Sequence, residues 1–143
     1  RLGTKMGFPF PCGKYMEEYI RDKKVQKLST PRPGKGPCIN LSGMENYFVN
    51  LLEKHEKDEI ITSMFEYIGE CIVNILHSLS GLGLKTVIIS GGVASNSYIR
   101  NYILNCLKVY ETIFPSPKNS SDNALGLAYL PIIDRWYNEN KAD

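Results

Sequence analysis

The stretch Lys85-Thr86-Val87-Ile88-Ile89-Ser90-Gly91-Gly92-Val93-Ala94-Ser95-Asn96-Ser97-Tyr98-Ile99-Arg100 decides how the whole chain is read. Thr86 to Ile89 is a β-branched apolar run, too short for a helix and typical of a strand buried on both faces. It runs into Gly91-Gly92 and then into a helical pattern with Val93, Ile99, Ile103 and Leu107 on one side. Strand, glycine turn and helix start make the usual geometry for an anionic or nucleotide ligand. Glycines let the backbone approach closely, and the first N–H groups of the helix point at the ligand. The same pattern also serves as a plain tight turn between strand and helix, and the stretch alone does not separate the two.

Toward the C-terminus, Tyr110 to Phe114 reads as a second strand closed by Pro115 and Pro117, so strand, helix and strand form a right-handed βαβ crossover with a parallel pair. Ser120-Ser121-Asp122-Asn123 caps a final helix whose small residues Ala124, Gly126 and Ala128 permit close approach of another surface. Pro131 kinks or interrupts that helix, and Leu130, Ile133 and Trp136 continue its apolar side.

Toward the N-terminus, the longest helix runs from about Asp58 to Leu79, with a core stripe of Ile61, Met64, Phe65, Ile68, Ile72, Ile75, Leu76 and Leu79, and Gly81 ends it. Another helix starts at Ser42, an N-cap with Glu45 three residues on, and carries Met44, Tyr47, Phe48, Leu51 and Leu52 at helical spacing. Cys38 to Leu41 reads as a short strand. Leu28 to Pro37, with three prolines and two glycines, reads as a mobile loop. A helix from about Gly13 to Arg21 buries Tyr15, Met16 and Tyr19, and the extended Phe8 to Gly13 precedes it. Arg1 to Gly7 looks like the end of a helix stopped by Gly7. Two strong strands make a poor independent sheet, so a fragment of a larger α/β fold is expected, or a chain that self-associates through its exposed sheet edge.

At 143 residues the chain suits one domain, and its 43% apolar and 22% charged content excludes a disordered or fibrous protein. No apolar run approaches a bilayer span and no signal peptide opens the chain, so a cytoplasmic location without membrane contact is expected. Cys12, Cys38, Cys71 and Cys106 are widely spaced, which fits reduced, packed thiols better than a disulfide frame or a zinc site. His55 and His77, the only histidines, lie on separate segments, so a metal site built on this chain's histidines is not expected. Residues 1 to 36 hold nine basic and three acidic side chains, a local +6 against −4 for the remainder. That suits either a phosphate-backbone contact or a solvated helix face.

Five landmarks carry a family resemblance. Gly91-Gly92-Val93-Ala94-Ser95-Asn96 followed by Ser121-Asp122-Asn123-Ala124 resembles the Gly-Gly-Val-Ala-Ala-Asn and Thr-Asp-Asn-Ala motifs of the tRNA N6-adenosine threonylcarbamoyltransferases (TsaD, formerly O-sialoglycoprotein endopeptidase). Phe10-Pro11-Cys12-Gly13 looks like that family's Tyr-Pro-Gly-Gly, and Pro31-Arg32-Pro33 and Leu41-Ser42-Gly43 fall where it has Pro-Arg-Pro and Phe-Ser-Gly-Leu-Lys.

The resemblance implies the second-lobe part of a two-lobed actin-like or sugar-kinase ATPase fold, with the first lobe and both metal-binding histidines upstream of Arg1. It implies transfer of a threonylcarbamoyl group from threonylcarbamoyl-AMP to N6 of the adenosine beside the tRNA anticodon, with companion subunits, a divalent metal (iron or zinc), and ATP or threonylcarbamoyl-AMP as ligand. Asn96 then contacts the activated intermediate, and Gly13 lies against it through its backbone. Gly91 and Gly92 admit the phosphate or ribose, while Ser42 and Gly43 border the adenine side. Asp122 matches the family's carboxylate metal ligand, whose ion would polarise the transferred carbonyl. Without the resemblance, Asp122 and Asn96 read as helix N-caps and Gly13 as a helix-start glycine.

The chain also departs from the pattern. Cys12 stands for a glycine, Met44-Glu45 for Leu-Lys, Gly126-Leu127-Ala128 for Met-Ile-Ala, and Pro131 is atypical. A non-catalytic nucleotide-binding paralogue, acting as a regulatory or scaffold subunit, is the alternative. The endopeptidase reading is weakest, because the chain has no His-Glu-x-x-His motif.

Overall fold

In the computed structural model the described residues are 1–34, 39, 41–116, 135 and 139. They form α1 (Leu2–Lys5), α2 (Cys12–Ile20), α3 (Ser42–Leu51), α4 (Lys57–Ser78), β1 (Thr86–Ile88), α5 (Ser97–Cys106) and β2 (Glu111–Ile113). β1 and β2 pair in parallel, Thr86 with Glu111, Val87 with Thr112 and Ile88 with Ile113, as the crossover reading predicts. The expected final helix and the kink at Pro131 lie outside the described residues.

The core gathers around α4. Ile60 and Ile61 are completely buried, and Phe65, Tyr67, Cys71 and Val73 nearly so. Met64, Ile68, Ile72 and Leu76 of the expected stripe are only half-buried against them. α4 is apolar around much of its circumference because α2, α3 and α5 all contact it. Its closest neighbour is α5: a methyl group on Gly69 would stand 2.6 Å from the Tyr102 ring, so only glycine permits this approach. The start of α4 is fixed by a capping box between Glu56 and Glu59, whereas the N-cap expected at Ser42 for α3 falls one residue earlier. Leu41 is the N-cap of α3, with Ser42 as its first helical residue. Past Ser78 the chain makes a short 3-10 turn, Ser80–Leu82, and reverses at Gly83, whose φ of 70° is left-handed; Gly81 is not the stop.

α1 ends as predicted at Gly7 (φ 86°). Phe8 N–H donates to Gly3 O at 2.9 Å and Gly7 N–H to Thr4 O at 3.0 Å, the paired bonds of a Schellman end. Gly3 in turn lies against Cys12, so the first two helices touch almost backbone to backbone.

Several expectations fail for one reason. Periodicity shows which residues share a side, but not whether anything packs on that side. On α2 the buried line is Met16 and Ile20, facing α1 and α4, while Tyr15 and Tyr19 are 37% and 41% exposed. Tyr19 instead meets the edge of Phe8 and carries the Lys23 ammonium 3.7 Å above its ring. β1 is not buried on both faces: Ile88 is 68% exposed and Ile113 42%, while Val87 and Thr112 turn inward. Val93 also leaves the buried side of α5, which Ile99, Ile103 and Leu107 form without it. Neither Ile39 nor Leu41 lies in a strand, and Cys38 and Asn40 are outside the described residues. Residues 28–34 carry no helix or strand. Leu28 N–H donates to Ser63 Oγ at 2.8 Å, and Tyr47 OH to Ser29 O at 2.7 Å.

Candidate functional site

The glycine loop between β1 and α5 is shaped by its own bonds. Gly91 has φ 108°, a conformation that side-chain-bearing residues avoid. Its carbonyl accepts from both the N–H and the Oγ of Ser95, each at 3.1 Å. Gly92 is helical in conformation, and a Cβ built on it would meet nothing within 4 Å among the described residues. The loop therefore has one glycine required by backbone geometry and one whose bare face looks onto open space.

Asn96 ends the loop and is buried. Its Oδ1 accepts from Ile99 N–H at 3.0 Å, so it is the N-cap of α5. That leaves the Nδ2 amide as the group a ligand's acceptor would use.

Across from the loop stands α2. Glu17 Oε1 accepts from Ser97 N–H at 2.9 Å and also from Ser97 Oγ, a contact between residues 80 apart in sequence. Gly13 lies one helical turn before Glu17 on the same side of α2, and a Cβ on it would likewise meet nothing within 4 Å among the described residues. The fold thus joins α2, which carries Gly13, to the start of α5 just after the Gly91–Asn96 loop. Sequence reading missed Glu17; its one signal was a carboxylate a single turn after Gly13.

This contact changes where an anion can sit. Ser97 N–H already serves Glu17 and Ile99 N–H serves Asn96, so two of the leading donors of α5 are engaged. A carboxylate there repels phosphate and suits a hydroxyl donor.

Ser42 and Gly43 lie at the exposed start of α3, a separate helix end. It connects to α2 through α1: Glu45 pairs with Arg1 at 3.9 Å, and Gly3 abuts Cys12. Glu45, which stands where the resemblance has lysine, is therefore engaged with a surface cation.

The described residues do not assemble a metal centre, since no group of three or more histidine, cysteine or carboxylate side chains converges among them. His55 and His77 flank opposite ends of α4. Asp122, the expected metal ligand, lies outside the described residues. Among the described residues, Cys12, Cys71 and Cys106 are free thiols, but only Cys71 is buried and Cys106 is exposed, not packed as expected, and no helix is long and apolar enough to cross a membrane.

A polar cavity of about 210 Å³ lies on the other flank of α4 and α5, lined among others by Lys27, Arg32, Glu66, Tyr67, Glu70 and Tyr102. None of the described site residues expected from sequence lines it. Glu66 pairs with Lys27 at 2.9 Å and accepts from Tyr98 OH at 3.1 Å. Burial, then the Glu66 charge, pushes the Tyr98 phenol up to about 12; burial also takes Tyr102 to about 12. Because the folded protein holds both phenols protonated beyond their ordinary value of 10.0, their contribution is complete below pH 10 and is lost as pH rises toward 12. Alkaline titration should show Tyr98 and Tyr102, together with Tyr67, whose phenol burial also pushes up, ionising late and with unfolding. A single phenolate transition near the ordinary value, before any loss of structure, would contradict this.

Comparison with known proteins now decides the lineage. The family model TsaD, tRNA N6-adenosine threonylcarbamoyltransferase, matches residues 1–129. The chain belongs to the TsaD family. It is 31% identical over 138 residues to the tRNA N6-adenosine threonylcarbamoyltransferase of Thermotoga neapolitana, a match covering 90% of this chain and 42% of that protein. The enzymes of the same name from Treponema pallidum and Rickettsia bellii are 28% and 26% identical, each covering 96% of this chain and 44% and 46% of theirs. The chain thus spans less than half the length of these TsaD relatives. Among solved structures, T. kodakarensis HypF superposes with a TM-score of 0.59 over 84% of this chain and 17% of that one, at 19% identity, which shows a shared fold alone.

Proposed function

We propose that this TsaD chain is second-lobe sequence of an actin-like or sugar-kinase ATPase fold and holds the nucleotide end of threonylcarbamoyl-AMP. In the full-length protein, the threonylcarbamoyl group passes to N6 of the adenosine beside the tRNA anticodon. The observation that supports this reading is the Glu17–Ser97 contact, which joins the helix carrying Gly13 to the end of the Gly91–Asn96 loop. Gly91 and Gly92 admit the phosphate or ribose, the Asn96 amide meets the carbamoyl-phosphate end, and Ser42 with Gly43 borders the adenine side. In the transfer, adenosine N6 attacks the carbamoyl carbonyl and AMP departs. The residues of this chain orient the mixed anhydride for that attack. Asp122 is the ligand this chain would offer to an iron or zinc ion, whose chemistry would be polarisation of the carbonyl. tRNA and companion subunits are the partners of the full-length protein. For the chain alone, no turnover is expected, because one carboxylate holds no catalytic metal tightly; its open sheet is where it would self-associate.

A second reading, a non-catalytic nucleotide-binding paralogue, draws on Glu45 paired with Arg1 where the family pattern has lysine. Equilibrium dialysis of the full-length protein with ATP and iron or zinc, followed by a reconstituted tRNA modification assay, separates them. The transferase reading expects both ligands to bind and threonylcarbamoyladenosine to form. Nucleotide binding without metal, and unmodified tRNA, would leave only the paralogue.

A further inference from the structure

We propose that Arg100 is the positioning residue of the glycine loop, holding it against the exit of β2 in the conformation that receives a nucleotide; this rests on the nucleotide reading above. Its guanidinium joins two carbonyls from different segments. Nε donates to Ala94 O inside the loop, and Nη2 donates to Pro115 O, just beyond β2, at 2.8 Å. The same group lies 5.1 Å from the centre of the Phe114 ring. The bonds from Ser95 to Gly91 and from Asn96 N–H to Val93 O close the turn on itself. Arg100 ties that turn to the segment just beyond β2.

The chemistry of the side chain sets the role apart from simple charge. The planar fork presents donors in fixed directions and can hold two carbonyls while stacking on a ring. A lysine ammonium is a point charge on a flexible stem and cannot keep both bonds in that geometry. If Arg100 served by attracting phosphate, lysine would substitute; if it serves by holding the loop, lysine fails much as alanine does.

The test uses the full-length protein with Arg100→Lys and Arg100→Ala, measuring ATP affinity by calorimetry and amide hydrogen exchange at Ser95 and Asn96. Both variants should lose roughly tenfold or more in affinity, as expected for losing a charge-assisted bond. Exchange at Ser95 and Asn96 should accelerate by a similar factor, while Ile60 and Ile61 of α4 keep their rates. Wild-type ATP affinity in Arg100→Lys, or unchanged exchange at Ser95 and Asn96, would overturn the proposal. So would equal acceleration at Ile60 and Ile61, which marks general destabilisation. If the wild-type protein binds no ATP, the nucleotide reading fails separately, and the exchange data alone decide whether Arg100 holds the loop.

Discussion

Leucine in place of Gly92 should leave the fold intact and weaken nucleotide binding ten- to a hundredfold. Gly92 has ordinary helical dihedral angles, and a Cβ on it meets no described atom within 4 Å. The backbone therefore tolerates a side chain, and the loss of glycine's unfolded-state freedom is mildly stabilising. The isobutyl group instead fills the space that a phosphate or ribose would occupy. Overfilling a formed site costs about 1–3 kcal/mol, which corresponds to roughly one to two factors of ten in affinity. Gly91→Ala is the informative contrast. At φ 108° any Cβ is strained, so that variant should lose stability as well as ligand. Thermal melts and ATP calorimetry on the full-length protein read both effects. A Gly92→Leu protein that binds ATP like wild type would remove the glycine loop from the site.

Ile103→Ala should give the largest loss of stability. Ile103 is fully buried on the side of α5 that faces the core, and it shares that cluster with Ile60, Ile61 and Phe65 of α4. Truncating such a side chain removes its transfer energy and leaves a cavity that the close α4–α5 packing cannot collapse, a loss of about 2–5 kcal/mol. Ile88→Ala is the matched control. It is 68% exposed on the outer face of β1, and the expected change is within about 0.5 kcal/mol. Urea unfolding of the pair measures the difference directly. Equal losses would mean that the outer face of the sheet is packed after all.

Much was legible before any coordinates because it is written locally. Thr86 to Ile89, the glycine pair and the pattern after it predict a strand, a turn and a helix, and the structure has β1, the Gly91 reversal and α5 in that order. Tyr110 to Phe114 predicts the parallel partner of β1, and Gly7 the end of α1. The ordered motifs, from Pro11-Cys12-Gly13 to Asp122-Asn123-Ala124, pointed to the TsaD family, which the family model bears out over residues 1–129.

Other features belong to the tertiary structure, because they depend on neighbours distant in sequence. Tyr15 and Tyr19 share the helical pattern of buried residues, yet they stay partly exposed while α1 and α4 close over Met16 and Ile20. Ile88 sits in a run with the composition of a doubly buried strand, but Val87 and Ile89 pack on the core while Ile88 faces outward. Gly69 stands inside a long helix, and the reason lies in the ring of Tyr102 packed against it. Glu17 on Ser97, and Arg100 between Ala94 and Pro115, come from chain segments brought together only by folding. Sequence by itself determined the elements and the lineage, since short-range periodicity, glycine geometry and ordered motifs are local. Folding alone decided which faces are covered and how the candidate site is held, since burial and hydrogen-bond partners are set by three-dimensional proximity.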